Sequence, residues 1–246
     1  MPQYIGSKLR KTEAILRNKS LRQFVPKTVR LNRLQLLRML QQFKMVYVKP
    51  VSGTGGNGVM RVEKTAAGYH FQILTRKRSY KSLNAMYSAI QKETRGRGYL
   101  IQKGIHLLKY RGRRFDLRIM AQLNLRKRWE TTGIIGRVAA PRKIVTNYHS
   151  GGTPTPVSRL LGSLSNKRKY NLTIQKLKNM GVTSGRAMKA RFPGVCEVGV
   201  DVGLDSTLKP WILEVNTRPD PYIFRKLSDP SIFRKIRRYA KAYGRL

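Results

Sequence analysis

Acids are scarce in this chain, 11 Asp and Glu against 52 Lys and Arg, and three of the oxygen-bearing side chains in residues 196–219, CEVGVDVGLDSTLKPWILEVNTRP, are candidate ligands. They are Asp201, Glu214 and Asn216. Val198, Val200 and Val202 alternate with Glu197, Gly199 and Asp201, and Trp211, Leu213 and Val215 alternate with Ile212, Glu214 and Asn216. Period-two alternation on both sides of a polar, Pro-containing turn predicts a β-hairpin. A turn centred between Thr207 and Leu208 sets Asp201 opposite Glu214, with Asn216 on the same face and the apolar side chains on the other. Two carboxylates and an amide on one face are hard oxygen donors of the kind Mg²⁺ takes, with water and substrate phosphates completing the shell. The competing reading is a solvated face with chance acids.

A second set of residues suits phosphate. Gly53-x-Gly55-x-x-Gly58 follows the strand pattern MVYVKPV (45–51), which carries Lys49. A dinucleotide-binding loop would be followed by a helix. Residues 59–62 instead read as extended, so the loop turns one strand back along another. Glycines there let backbone N–H groups approach phosphate oxygens, as in a flap. No Gly-Lys-Ser/Thr ending makes a P-loop, and no HRD or DFG element makes a protein kinase. A glycine-rich hairpin turn beside a surface lysine is the plainer alternative.

The elements that must hold these residues follow in order. Residues 1–27 are basic and weakly patterned and read as a lead-in with room for a short helix. Thr28 is expected to cap a helix through Phe43, with Leu34, Leu37, Leu40 and Phe43 as its buried stripe. Residues 69–75 form a strand, and Ser82 begins a helix with Leu83, Met86, Tyr87 and Ile90 on one face. Residues 99–102, 111–124 and 128–140 are strands; in the second, Asp116 and Arg118 share one face and Leu117 and Ile119 the other. Residues 143–157 form a loop containing Asn147, Gly151 and Gly152. Residues 158–192 read as helical in pieces punctuated by Gly181 and Gly185, and Asp229-Pro230 starts a final helix.

Composition bounds the rest. At 246 residues the chain is long enough for one large domain or two small lobes with a real core. A formal charge of +41 attracts polyanions without selecting one. The only cysteine, Cys196, excludes an internal disulfide and fits a reducing compartment. No apolar run reaches the length of a membrane span, and the N-terminus has no apolar signal core. A cytoplasmic protein is expected.

VYVKP, the glycine flap, YLIQKGI, FDLR, TGIIGRV, TN…GG, EVGVDVGLD and ILEVNTRP occur in this order. Together they resemble an ATP-grasp domain, most closely the YheC/YheD-like, spore-coat-associated branch, over roughly residues 26–219. Members of that branch often carry an additional N-terminal region, and little precedes the domain here. The resemblance implies an α+β fold in which two lobes grip ATP between them. The whole chain is then a single ATP-grasp domain, with an N-terminal lobe over about 26–110 and a C-terminal lobe over about 111–246. It further implies that Lys49 binds phosphate, that Gly55, Gly56 and Gly58 form the flap, and that Gln102, Lys103 and Ile105 line the adenine–ribose hinge. Many relatives have a ribose-holding glutamate near Lys103, which this chain lacks. Asp201, Glu214 and Asn216 match the Mg²⁺ ligands, and Arg118 and Arg137 match residues that hold a substrate carboxylate or the transferring phosphoryl group. The second nucleotide-binding lysine of many relatives has only Lys27 or Arg33 as candidates.

What the resemblance implies for function is an ATP- and Mg²⁺-dependent ligase that activates a carboxylate as an acylphosphate for attack by an amine, with spore-coat association. Two other readings stay open. One is a non-catalytic basic coat protein with a residual nucleotide site; the other is a polyanion- or nucleic-acid-binding protein, for which no zinc or RNA-recognition motif is present.

Overall fold

A computed structural model describes residues 2–53, 55–162 and 166–246. Thr54 of the glycine loop and residues 163–165 of the expected helical stretch lie outside them. In chain order the helices and strands are α1 (Lys8–Leu16), α2 (Lys19–Arg22), β1 (Thr28–Arg30), α3 (Arg33–Phe43), β2 (Met45–Pro50), β3 (Met60–Thr65), β4 (Gly68–Ile73), β5 (Arg76–Tyr80), α4 (Leu83–Thr94) and β6 (Tyr99–Lys103). Then come β7 (Lys109–Tyr110), β8 (Arg113–Leu123), β9 (Trp129–Val138), β10 (Thr153–Thr155), α5 (Val157–Leu161), α6 (Lys167–Arg191), β11 (Glu197–Leu204), β12 (Pro210–Asn216) and α7 (Pro230–Ala242). The fold is α+β, built on two antiparallel sheets in two compact units.

One unit comprises residues 26–106 and 139–152. Its sheet runs β1-β6-β2-β3-β4-β5. Helices α3 and α4 bring Leu36, Met39, Leu40, Met86 and Ile90 to a core with Val46, Val48, Val62, Phe71 and Ile101 of the strands. The expected helix from Thr28 is corrected here. Residues 28–30 add a strand beside β6, and the helix starts after Asn32, whose side chain accepts from the Gln35 N–H at 2.8 Å. An Asn cap satisfies one of the orphan donors of the first turn. The buried stripe also differs: Leu36 and Met39 join the expected Leu40, and Leu34 is 53% exposed.

The other unit comprises residues 1–25, 107–138 and 153–246. Its sheet runs β10-β9-β8-β11-β12, with β7 paired to β8. Leu117, Ile119 and Ala121 of β8 and Val198, Val200 and Val202 of β11 pack with residues of α1 and α6. Met120 and Ile135 pack with Phe224 and Ile236, so α7 serves a second, smaller core.

Two expectations change in this unit. Residues 1–27 are not a lead-in: α1 and α2 form, Ala14, Ile15 and Leu21 join the core, and the Ile5 N–H donates to Thr217 Oγ1 at 2.9 Å. Residues 167–191 form one continuous helix with Gly181 and Gly185 inside it. A Cβ on Gly181 would lie 2.6 Å from Thr131 Oγ1, and one on Gly185 would lie 2.2 Å from the Trp129 ring. These glycines, one turn apart, let α6 approach β9 closely rather than break the helix.

Candidate functional site

The hairpin forms as β11 and β12, and Asp201 stands directly opposite Glu214. The route to that pair differs from simple alternation. Asp205 closes the turn, its carboxylate accepting from the Thr207 and Lys209 N–H groups and from the Trp211 indole N–H at 2.8 Å. Leu204 then pairs with Pro210, which centres the turn on Thr207 and would by itself place Leu213 opposite Asp201. A β-bulge between Asp201 and Val202 shifts the register by one residue and brings Glu214 into the place. The bulge also changes which apolar residues are inward. Ile212 and Val215 are buried in the core, while Trp211 and Leu213 are only partly buried, against the expected Trp211–Leu213–Val215 face.

Asp201 is the hub of a buried ionic network. The Arg118 Nε donates to its Oδ1 at 2.5 Å and the Arg118 Nη2 to its Oδ2 at 3.1 Å, while the Arg137 Nη2 lies 3.0 Å from Oδ2. Arg137 also forks onto Asp116, at 2.8 and 2.6 Å. Strand register builds this: Asp201 pairs with Arg118 across β11 and β8, and Asp116 with Arg137 across β8 and β9. Neither arginine forms a merely local pair with a neighbour in sequence. All four residues are at most 7% exposed. Burial alone would raise the Asp201 pKa, but the two guanidiniums outweigh it and hold the carboxyl at about 2. Burial likewise opposes the charge on Arg137, and its two carboxylate partners more than offset it, raising its pKa.

Glu214 meets two side chains that sequence reasoning missed. Lys8 Nζ and Lys11 Nζ of α1 lie 3.7 and 3.8 Å from its Oε1. Lys11 is 5% exposed, and burial lowers its pKa although Glu214 pulls it up. The available signal was a lysine at the position where Lys11, Ala14 and Ile15 make one buried helical stripe. Asn216 stands opposite Gly199, two residues beyond Glu214.

These residues meet the chemical requirement for a hard divalent cation. Asp201, Glu214 and Asn216 offer oxygen donors. A carboxylate oxygen has two lone pairs, so a guanidinium on Asp201 does not exhaust it. Charge adds a condition. Asp116, Asp201 and Glu214 are paired with Arg118, Arg137, Lys8 and Lys11, three negative groups against four positive. A cation fits only when further negative charge comes with it. Among the described residues, no group of three or more His, Cys, Asp or Glu is placed to hold a metal, so the amide of Asn216 is needed to complete the donor set.

The other unit holds the phosphate-type residues. Strands β2 and β3 pair antiparallel from Met45↔Glu63 to Val48↔Met60, so the glycine loop does turn one strand back on another. Gly53, Gly55, Gly56 and Gly58 have φ of 123°, 71°, 78° and 71°, a backbone that favours glycine. The Ser150 hydroxyl donates to the Gly55 carbonyl at 2.7 Å. A Cβ on Gly56 would lie 2.7 Å from Asn147 Oδ1. Asn147 and Ser150, in the first part of the segment read as a loop over 143–157, thus pack on the flap. The Lys49 ammonium donates to Gln102 Oε1 at 2.6 Å, and Gln102 Nε2 donates to Thr28 Oγ1 at 3.2 Å. Lys103 and Lys27 place their ammoniums 5.1 and 6.0 Å from the Phe43 ring centre, and Ile105 is 6% exposed. Arg33 Nε donates to Asn84 of α4, so of the two candidates for a second nucleotide lysine only Lys27 stands beside Lys103. No helix among the described residues is long and apolar enough to cross a membrane.

The chain is similar to known proteins. The family model described as YheC/D like ATP-grasp matches residues 2–246. The chain is 26% identical over 188 residues to the endospore coat-associated protein YheD of Bacillus subtilis (strain 168), covering 74% of this chain and 41% of that protein. It is 20% identical over 201 residues to the endospore coat-associated protein YheC of the same organism, covering 80% of this chain and 55% of that one. The chain therefore spans about half the length of these relatives. Among solved structures, the D-cycloserine synthetase DcsG superposes with a TM-score of 0.59 at 12% identity, over 96% of this chain and 70% of that chain.

Proposed function

We propose that this chain, which belongs to the YheC/D-like ATP-grasp family, is an ATP-dependent ligase that joins a carboxylate to an amine. In the first step a carboxylate oxygen attacks the γ-phosphorus of ATP, forming an acylphosphate and releasing ADP. In the second the amine attacks the acyl carbon and inorganic phosphate leaves. Phosphoryl transfer is catalysed mainly by positioning and charge neutralisation.

Roles follow from the chemistry of each group. Lys49 and the N–H groups of Gly55, Gly56 and Gly58 hold the phosphates, and Gln102, Lys103 and Ile105 hold the nucleoside. Arg118 and Arg137 neutralise the substrate carboxylate or the transferring phosphoryl group. Asp201, Glu214 and Asn216 would hold Mg²⁺, which when bound neutralises phosphate charge. The observation that carries the reading is the pairing of Asp201 with Glu214 on adjacent strands, two residues before Asn216, in a chain whose family match spans residues 2–246. Association with a spore coat is proposed from the names of the two relatives.

The test is a melting curve followed by an ADP-release screen across pairs of carboxylates and amines. Millimolar Mg²⁺ alone leaves Tm unchanged, because the site already carries an excess of positive groups. Mg²⁺ with ATP at a hundred times Kd adds about 2.7 kcal/mol. Glu214→Gln abolishes ADP release; because it leaves Lys8 and Lys11 without their carboxylate it also lowers Tm, but the melting transition stays cooperative. Folded protein whose Tm does not respond to Mg²⁺-ATP would end the nucleotide reading.

A further inference from the structure

Helix α1 sits where the proposed cation site has its most exposed acid. Ser7 caps it, its side chain accepting from the Arg10 N–H at 3.3 Å. The segment before it is tied to the residue just after the strand carrying Glu214 and Asn216 by the Ile5 N–H on Thr217 Oγ1, and to the residues before β11 by the Gln3 N–H on the Gly194 carbonyl at 2.9 Å. Ala14 and Ile15 anchor its far end in the core. The helix is thus held at both ends, and the two ammoniums it presents at i and i+3 converge on a single oxygen of Glu214. Their side chains are only 11% and 6% exposed, so they are not loose surface lysines.

A carboxylate oxygen with two ammoniums within 4 Å already has its positive charge. A divalent cation cannot take that position without moving them, because like charges at such distances repel strongly in a partly buried site. We propose that Lys8 and Lys11 are the resting counter-cations of Glu214, positioning residues that hold its carboxylate until a divalent cation, accompanied by the nucleotide's negative charge, takes it from them. This inference rests on the reading of Asp201, Glu214 and Asn216 as a cation site. It makes α1, which precedes every recognisable motif, part of that site, and it gives ordered binding: little cation without nucleotide.

Mn²⁺ binding, read from the loss of the free-ion paramagnetic resonance signal, tests it without turnover. The probe is Mn²⁺ with and without a β,γ-imido analogue of ATP. Wild-type protein binds Mn²⁺ with the analogue and not without it. The double variant Lys8→Met, Lys11→Met binds Mn²⁺ about tenfold more tightly. Lys11→Arg, which keeps the charge, stays close to wild type. Lys209→Met removes one charge beside Trp211 and changes the affinity by less than about twofold. Melting curves confirm folding, and if the double variant does not fold, Lys8→Met alone shows a smaller tightening of the same sign. Equal or weaker Mn²⁺ binding in the folded double variant Lys8→Met, Lys11→Met, or in Lys8→Met where the double does not fold, beside normal wild-type binding, overturns the counter-cation role alone. Wild-type protein that binds no Mn²⁺ with the analogue overturns the cation site itself, and the inference with it.

Discussion

Replacing Asp201 by Asn keeps its shape and removes the charge that two buried arginines share. Arg137 retains Asp116, with which it makes two hydrogen bonds, but Arg118 loses the carboxylate it forks onto. Moving a carboxyl from 3.8 to about 2 on folding corresponds to a stabilisation on the order of 2 kcal/mol. That figure counts the charge alone. The amide also turns an N–H₂ donor toward guanidinium donors, and breaking a buried ion pair from one side typically costs about 3–5 kcal/mol. Asp201→Asn is therefore expected to cost about 3–5 kcal/mol, and removing the stranded charge as well, with Arg118→Met, recovers part of that loss. Both tryptophans, Trp129 and Trp211, lie in the same unit as Asp201, so urea denaturation followed by tryptophan fluorescence reports on that unit. Because the folded pKa lies below the unfolded one, this stability is fully present above about pH 4 and is lost as pH falls through about 2. A loss under about 1 kcal/mol at pH 7, or a double variant less stable than Asp201→Asn, would refute the hub role.

Three further outcomes are expected. Gly185→Ala should destabilise by about 1–3 kcal/mol through collision with the Trp129 ring; stabilisation by the ~1 kcal/mol that alanine gains in an open helix would show the close approach to be wrong. Glu197 is 1% exposed and burial raises its pKa, although Tyr243 and Arg245 hydrogen-bond to it, so its contribution is full below about pH 4 and is lost as pH rises through its raised value. Glu197→Gln should therefore compare more favourably with wild type at pH 8 than at pH 4 by urea denaturation, and the opposite trend would count against the buried charge. Arg234, Arg237, Arg238 and Lys241 make an exposed stripe on α7, so binding to duplex DNA should weaken by orders of magnitude between 50 and 200 mM salt, as the general counterion effect requires, and Arg237→Gln with Arg238→Gln should shallow the salt slope by about 2; tight binding in high salt would point to a specific nucleic-acid site.

The strands carrying the motifs were legible because each alternates in its own sequence. The run from Phe115 to Ile119 states its two faces, and β8 obeys them. The partners of its charged residues were not legible, since Asp116 and Arg118 find theirs 21 and 83 residues away. The Asp201–Glu214 pair was anticipated from a turn half a residue off its true centre, and an unforeseen bulge made it correct. Asn32 was a better cap than Thr28, but the strand that Thr28 starts depends on β6, far along the chain. Lys8 and Lys11 lay in a basic stretch where the helical spacing of Lys11 with Ala14 and Ile15 was a weak signal, and packing shows that α1 buries Lys11. Gly181 and Gly185 look like breaks locally, and the reason to tolerate them is their close approach to Thr131 and Trp129, far earlier in the chain.

The bulge in β12 has a consequence for changes of chain length. Leu213 is the extra residue in the ladder, between Ile212 facing Val202 and Glu214 facing Asp201. Deleting Leu213 would leave both of those pairs in place and straighten the strand. Deleting Asp205 would remove the turn's organising carboxylate as well as shorten it, and the two edits are far from equivalent although each shortens the hairpin by one residue. A hairpin one residue shorter can thus keep its acids opposed, and loop length is a poor guide to whether the pair has been lost.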